Sequence, residues 1–184
     1  MQNTLKRCFH KYLGNFSWKN TLLKKPKVLL VVSCSKRKAP QLHNHKMRAS
    51  EAYNGPMFQV IHKAQGEGRW SSSLYLGIVS AKYGFLREDE FIEYYDVRIT
   101  DRLAEELKPQ VIQSIINWHN EMNFILIYIL MGKSYLKSVE GLDSKVDVKL
   151  MVENMGGLGL GQRKLLNFLE RYSEKSNPLT DFMK

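Results

Sequence analysis

Cysteine and long apolar runs are both scarce in this chain of 184 residues. The two cysteines, Cys8 and Cys34, lie far apart, which excludes a disulfide framework and a Cys-x-x-Cys metal site. The longest apolar run, residues 124–131, is too short to span a bilayer, which takes about 20 residues. The pair His43 and His45 has no acid or cysteine close enough in sequence to complete a zinc site. We therefore expect a cytoplasmic protein that is not a membrane protein and that binds no metal and no cofactor.

Acidic residues are absent from the first 50 residues, where twelve Lys or Arg stand and the first acid is Glu51. The rest of the chain has slightly more acids than bases, so the formal net charge of +10 comes from the N-terminal part. A segment with one sign of charge attracts polyanions, because binding releases their counterions. The charge distribution therefore favours nucleic acid as the partner and leaves anionic lipid headgroups as an alternative.

The basic segment at residues 1–26 carries scattered aromatic and leucine side chains but no continuous apolar core of a secretory signal. Three interpretations remain open: an arm that stacks on bases, a helix packed on the body, and a mitochondrial presequence. We expect a basic N-terminal arm at 1–26, a single α/β domain at 27–174 and a loose C-terminal tail at 175–184.

Short apolar runs alternate with amphipathic segments along the predicted domain. The pattern predicts strands over 27–34, 74–79, 124–131 and 146–151, and helices over 47–67, 100–120 and 161–173. Thr100 has the side chain of a helix N-cap, and the turn residues at 54–56 interrupt the first helix. Alternation of strands and helices predicts a three-layer αβα fold with a mostly parallel, four-stranded sheet.

Three of the predicted strands are followed by the same chemistry, a Ser or another small residue next to Lys. If these strands are parallel neighbours, their carboxyl ends share one crevice, which is where open α/β sheets bind ligands. Lys, Ser hydroxyls and free N–H groups together suit phosphate. The alternative is that Ser and Gly serve the turns and Lys serves solvent. The candidate ligands from these three strand ends are Cys34, Ser35, Lys36, Lys38, Ser80, Lys133 and Ser134.

A second group of candidate residues follows Lys82. Tyr94 and Tyr95 supply aromatic faces, and Asp96 supplies a carboxylate. Cleavage of an N-glycosidic bond needs a carboxylate for the cationic sugar, rings that stack on a flipped base, and a donor for the leaving base. Lys82 would be that donor, a phosphate ligand or a Schiff-base amine. Ordinary packing of the tyrosines, and a helix-cap or ion-pair role for Asp96, are equally compatible with the sequence.

A glycine-rich segment at 156–161 precedes Arg163 and Lys164 at the start of the last predicted helix. Backbone N–H groups at such a start can contact DNA phosphates, as in a helix-hairpin-helix, whereas the alternative is a tightly packed loop. Its distance from the preceding strand does not match a dinucleotide fingerprint. We expect Arg37, Arg163 and Lys164 to contact DNA.

Six segments of the chain carry a resemblance to a known family: CSKRK, EAYNGPMF, SAKYGFL, IEYYD, MGKSYLKSV and GLGLGQRK. Over roughly residues 28–170 the chain resembles small bacterial and phage proteins related to the YaaA-type peroxide-stress proteins. It is also similar to a domain of archaeosine-synthesis enzymes. The resemblance implies a fold like that of uracil-DNA glycosylase and a role in DNA binding and protection. The site residues it implies are Cys34, Ser35, Lys36, Lys38, Tyr53, Ser80, Lys82, Tyr83, Gly84, Tyr95 and Asp96.

Our leading hypothesis from the sequence is a glycosylase-like hydrolase that flips a modified or damaged base out of DNA and cuts its N-glycosidic bond. Asp96 and Lys82 are its candidate catalytic residues, and DNA is favoured over RNA. DNA repair or phage defence would be the setting. One alternative is a non-catalytic DNA-binding protein of the oxidative-stress type. A further alternative is a base or deoxyribose transferase that acts on nucleosides or nucleotides.

Overall fold

A computed structural model of the protein describes residues 25–172. All but the last two residues of the predicted N-terminal arm, and the whole predicted C-terminal tail, lie outside the described residues. Within the described range, every helix is too short or too polar to cross a membrane.

The described residues form seven strands and five α-helices, with 3-10 turns at Pro40–His43 and Lys137–Val139. In chain order the elements are β1 (Val28–Ser33), β2 (Met47–Arg48), α1 (Ala49–Ala52), α2 (Pro56–Gly66), β3 (Leu74–Ser80), β4 (Gly84–Arg87), β5 (Phe91–Ile92), α3 (Asp101–Met122), β6 (Leu126–Met131), α4 (Lys133–Leu136), β7 (Lys149–Asn154) and α5 (Leu158–Arg171).

The main sheet has the strand order β4-β3-β1-β6-β7, and β2 pairs separately with β5. Strands β3, β1, β6 and β7 run parallel, whereas β4 is antiparallel to β3. The prediction of a mostly parallel α/β sheet is confirmed, but the predicted number of four strands is wrong. The fifth strand, Gly84–Arg87, returns along β3 through a tight turn, and its four residues are too few to show a strand period.

Helices cover both faces of the sheet, and β1 is therefore buried on both sides. Leu30 and Val32 belong to a core with Phe58 of α2, Phe168 of α5 and their neighbours, whereas Leu29 and Val31 pack in a second core under α3. Alternate side chains of a strand point to opposite faces, so a continuous apolar strand needs two covering layers. The three-layer arrangement follows from this.

The segment between β5 and α3 reaches the carboxyl edge of the sheet just before α3 begins. The Thr100 hydroxyl accepts a hydrogen bond from the Leu103 N–H at 3.1 Å, which confirms the predicted N-cap. The predicted helix over 47–67 is wrong at its start, because Met47 and Arg48 pair with β5 as strand β2, and the remainder is divided into α1 and α2. Other predicted elements differ at their ends. The strand predicted at 146–151 spans Lys149–Asn154, and the last helix begins at Leu158 rather than at residue 161.

The order of the parallel strands creates a crevice beside β1. The chain passes from β1 to β3 on one side of β1 and later to β6 on the other side. Connections that leave in opposite directions separate at the carboxyl ends of β1 and β6, and such a switch point is where α/β sheets bind ligands. The loops after β1, β3 and β6 therefore all lie at one edge of the sheet.

The β3–β4 turn gives a test of the added strand. Gly84 has a φ of 70°, and a Cβ at this position would lie 1.7 Å from the Gln110 Oε1. We expect Gly84→Ala to lower the free energy of unfolding by about 1–3 kcal/mol, measured by urea denaturation. Gly66→Ala is the control, because this helical position has free space, and it should raise stability by up to about 1 kcal/mol. Equal stability of the two variants would contradict the described turn.

Candidate functional site

A cavity of about 490 Å³ opens at the carboxyl ends of β1 and β6. Its volume is within the range of about 300–1,000 Å³ that is typical of small-molecule sites. The cavity lies at the switch point of the sheet, where the strand order predicts a ligand site. The residues that line it are Cys34, Ser35, Lys36, Lys38, Asp96, Val97, Arg98, Ile99 and Tyr135.

The charged side chains that line the cavity are three cations and one carboxylate. Lys36, Arg98 and Asp96 are exposed at its rim, whereas Lys38 is half-buried. The excess of positive charge suits an anionic ligand, while the carboxylate provides a place for a positive centre within it. Both signs of charge thus face the same small space.

Lys38 is the cation most closely held by its surroundings. Its Nζ lies 4.1 Å from the centroid of the Tyr95 ring and 5.8 Å from that of Tyr94. Its backbone pairs with that of Tyr53 in an isolated antiparallel bridge. Burial lowers the pKa of Lys38, and the nearby Cys34 and Asp96 partly oppose this effect by favouring its charged form.

A buried hydroxyl network lies directly behind Lys38. The Tyr95 hydroxyl is 2.7 Å from the Tyr53 hydroxyl and 2.7 Å from the Ser80 Oγ. Ser80 Oγ also accepts hydrogen bonds from the backbone N–H groups of Lys82 and Tyr83, both at 3.2 Å. Burial raises the pKa of both network tyrosines, because it disfavours their charged phenolate forms.

This network positions Asp96, because Asp96 is the residue that follows Tyr95 in the chain. The Tyr95 side chain is 5% exposed, and Tyr53 and Ser80 are fully buried. Two buried hydrogen bonds hold the Tyr95 side chain and thereby restrict its backbone. Asp96 extends from this restricted backbone to the cavity rim. The network therefore links the loop after β3 to the carboxylate of the cavity.

Cys34 and Tyr135 join the two strand ends on either side of the crevice. The Cys34 Sγ is 3.0 Å from the Tyr135 hydroxyl, and the Cys34 N–H donates to the Val79 carbonyl at 2.8 Å. Burial raises the pKa of Tyr135. Ser35 lines the cavity, but its hydroxyl accepts from the Gly55 N–H at 3.1 Å and donates to the Arg37 carbonyl. Its hydrogen bonds therefore shape the loop itself.

The loop after β3 contacts the site through Tyr95 and not through the cavity wall. Lys82 is exposed, with its Nζ 4.9 Å from the Tyr83 ring centroid and 5.7 Å from that of Tyr95. The Tyr83 and Tyr95 rings meet edge to face at 5.4 Å. Gly84 lies in the β3–β4 turn against Gln110. The described residues that line the cavity do not include Lys82, Tyr83 or Gly84.

The loop after β6 places Tyr135, and not its predicted lysine and serine, in the cavity wall. Ser134 hydrogen-bonds to Asp101 at the start of α3, which also pairs with Lys137 at 3.0 Å. The hydrogen bonds from Lys137 and Ser134 hold the pKa of Asp101 below its usual range, and the exposed Lys133 adds a smaller electrostatic contribution. Within the described residues, Lys133 and Ser134 thus interact with Asp101 at the start of α3 and do not line the cavity.

The predicted DNA contacts at the start of α5 have different environments. Lys164 pairs with Glu153 at 2.8 Å and donates to the Asn154 carbonyl at 2.8 Å, so its ammonium group holds α5 against β7. Arg163 and Arg37 are exposed.

Within residues 25–172, no group of three or more His, Cys, Asp or Glu side chains is arranged to hold a metal ion. His43 instead stacks on Tyr94, with ring centroids 3.8 Å apart.

The sequence did not identify Tyr135 or the segment Val97–Ile99 as part of the site. Tyr135 stands four residues after the end of β6, in a one-turn helix, where its side-chain direction depends on packing against β1. Arg98 and its neighbours follow Asp96 in an extended segment. The sequence signal for residues 97–99 was their position directly after Asp96. An extended segment that places one side chain at a crevice also places its neighbours there.

Comparison with known proteins gives a family and a fold. The profile of a family of unknown function, DUF6884, matches residues 29–171. The chain belongs to this DUF6884 family. The match covers the five-stranded sheet from the second residue of β1 onward, the helices on both faces and every residue of the cavity wall. No curated protein matches the chain.

One solved structure shares the fold of this DUF6884 protein. It is the crystal structure of AF0587, a protein of unknown function, which is similar with a TM-score of 0.50 and 11% sequence identity. The match covers 79% of this chain and 45% of the AF0587 chain, so this chain spans less than half the length of that protein. At this identity the likeness concerns the fold alone.

The Tyr95 hydroxyl gives a test of the network. Tyr95→Phe leaves the buried hydroxyls of Tyr53 and Ser80 without their shared partner, and we expect a loss of about 1–3 kcal/mol in the free energy of unfolding. Tyr94→Phe is the matched control, because this neighbouring ring is exposed, and it should change stability by less than about 0.5 kcal/mol. Urea denaturation measures both, and an unchanged Tyr95→Phe protein would contradict the network.

The same residue predicts a dependence of stability on pH. The folded-state pKa of Tyr95 is raised, so its contribution is fully present below the ordinary tyrosine pKa of about 10 and falls as the pH rises above it. The unfolded chain loses the Tyr95 proton there while the folded chain keeps it. We expect wild-type protein to lose stability above about pH 10 more steeply than Tyr95→Phe. Parallel curves for the two proteins would contradict the raised pKa.

Proposed function

We propose that this protein cleaves the N-glycosidic bond of a modified or damaged base in DNA, with the nucleotide flipped into the cavity at the sheet edge. The observation that supports this most is the single described carboxylate, Asp96, which shares a cavity of about 490 Å³ with Lys36, Lys38 and Arg98. A glycosidic transition state carries positive charge on the sugar and negative charge on the leaving base and flanking phosphates. The cavity offers a partner for each.

Asp96 is the residue we assign to the sugar. Bond cleavage leaves an oxocarbenium-like centre at C1′, and a fixed carboxylate stabilises that charge or orients the attacking water. Preorganisation matters because a carboxylate that must move into place contributes less to the transition state. The buried Tyr95 network restricts the backbone from which the Asp96 side chain extends.

The exposed cations of the site are assigned to phosphate. Lys36 and Arg98 are exposed at the rim, where the phosphates beside a flipped nucleotide would lie. Arg37 is exposed on the same loop and extends the basic surface outward. The twelve cations and absent acids of residues 1–50 support a polymer substrate over a small one.

Base stacking is assigned to Tyr135 instead of the tyrosines chosen from the sequence. Tyr53 is fully buried and hydrogen-bonded, so its ring is not accessible to a base. Tyr95 is covered by the Lys38 ammonium group at 4.1 Å. Tyr135 lines the cavity beside Cys34 and is the aromatic residue of its wall among the described residues. A base that enters would meet this ring.

We also propose the more distant relationships that the motifs imply. The segments 34–38 and 80–84 stand at the carboxyl ends of β1 and β3, and Tyr95 and Asp96 reach the same edge. A functional resemblance to YaaA-type proteins and to the archaeosine-synthesis domain would be expressed there. The parallel sheet with helices on both faces is compatible with a fold like that of uracil-DNA glycosylase. DNA repair or phage defence would be the corresponding setting.

Asp96→Asn tests the catalytic assignment. Released bases are measured by mass spectrometry after incubation with normal, oxidised and phage-modified DNA. We expect the variant to lower base release about 100-fold or more, because the sugar cation loses its counter-charge. DNA affinity, measured by fluorescence anisotropy, should stay equal or rise, because a negative charge leaves a basic site.

Asp147→Asn is the matched control, since this exposed acid precedes β7 at the opposite edge of the sheet and should leave base release unchanged. Undiminished release by Asp96→Asn would contradict the assignment. DNA binding without any base release by the wild-type protein would favour the non-catalytic alternative. Release from free nucleosides or nucleotides but not from DNA would favour the transferase alternative.

A further inference from the structure

We propose that Lys38 is a second reactive group of this cavity, which forms a covalent imine with C1′ of an abasic deoxyribose and leads to cleavage of the DNA strand. The inference rests on the proposed function, because removal of a base in this cavity would leave such a sugar beside Lys38. It adds a strand-cleaving activity to base removal and names the amine that carries it.

The position of Lys38 is fixed from both the backbone and the side chain. Its backbone bridges to Tyr53, and the next N–H, that of Ala39, donates to the Ala52 carbonyl at 2.9 Å. Its Nζ lies 4.1 Å from the Tyr95 ring centroid, and the side chain lines the cavity together with Asp96. The amine therefore enters the same space as the carboxylate that we assign to the sugar.

Comparison with the neighbouring lysines separates Lys38 from them. Lys36 lines the cavity but is exposed, and Lys82 is exposed and outside the described lining residues. Lys38 is half-buried inside the cavity, and this burial lowers its pKa. A lower pKa leaves more of the amine neutral, which is the form that attacks a carbonyl. The sequence pattern indicated Lys82 as a candidate Schiff-base amine, whereas the geometry of the cavity favours Lys38.

The chemistry needs no oxidant, reductant or metal. The Nζ lone pair attacks the aldehyde carbon C1′ of the ring-opened sugar, the C1′–N bond forms, and the carbonyl oxygen leaves as water. The protonated imine acidifies the hydrogen on C2′, and a carboxylate such as Asp96 accepts that proton. The electron pair forms a C2′–C3′ double bond while the C3′–O bond breaks and the 3′ phosphate leaves as an anion. Hydrolysis of the imine then frees Lys38.

Borohydride trapping tests the imine with the full-length protein. The probe is a labelled single-stranded oligonucleotide with one abasic site, and sodium borohydride reduces the imine to a stable cross-link. Mass spectrometry then identifies the modified peptide. We expect the adduct on Lys38 and accompanying strand cleavage on the 3′ side of the abasic site. Lys38→Arg should lower both about 10-fold or more, because its guanidinium keeps the charge but does not form an imine.

Lys145→Arg is the matched control, because this exposed lysine lies in the segment before β7 and is not among the described residues that line the cavity. It should trap as well as the wild type. A wild-type adduct on another lysine, no wild-type adduct, or undiminished trapping by Lys38→Arg would each overturn the proposal. The mapped wild-type adduct does not depend on how well the variant folds.

The probe carries no base, so its result is independent of base removal. Base release from base-containing DNA is measured in parallel on the same preparation. Base release without trapping would overturn the imine and leave glycosidic cleavage standing. Trapping on Lys38 without base release from any DNA would support the reactive amine and remove the proposed glycosidic activity.

Discussion

The buried hydroxyl of Tyr95 is the contact on which the geometry of the site depends. It joins the side chain of a helix-flanking residue, Tyr53, to Ser80 at the end of β3, through hydrogen bonds of 2.7 Å each. Ser80 in turn accepts two backbone N–H groups of the following turn. Tyr95 itself lies in the segment between β5 and α3, which has no regular secondary structure. Without this network, Asp96 would belong to an extended segment with no fixed position.

The sheet topology supplies the space that the network borders. Because β3 and β6 lie on opposite sides of β1, the loops that follow β1 and β6 separate and leave a cavity that Cys34 and Tyr135 both line. Partial burial in that cavity lowers the pKa of Lys38. In this chain the fold thus positions a charged cavity without specifying its chemistry.

The strands of the parallel core and the N-cap at Thr100 could be predicted, because continuous apolar runs and a hydroxyl before a helix are local signals. The fifth strand could not, since Gly84–Arg87 acquires its identity by pairing with β3. Cys34, Lys38 and Asp96 were selected from the sequence and lie together in the cavity wall. Tyr135 was not selected, because its role arises from the contact with Cys34 across 101 positions of the chain.

The chain alone determines the alternation of strands and helices, the basic N-terminal part and the placement of lysines after strand ends, because these depend on residue type and spacing. Tertiary structure decided which of those lysines line the cavity with Asp96 and which of them is half-buried there. Lys36, Lys38, Lys82 and Lys133 follow strand ends in similar contexts, yet Lys38 is the one held half-buried against Tyr95. Burial and neighbouring charge distinguish chemically identical side chains, and both are properties of packing between segments that are distant in sequence.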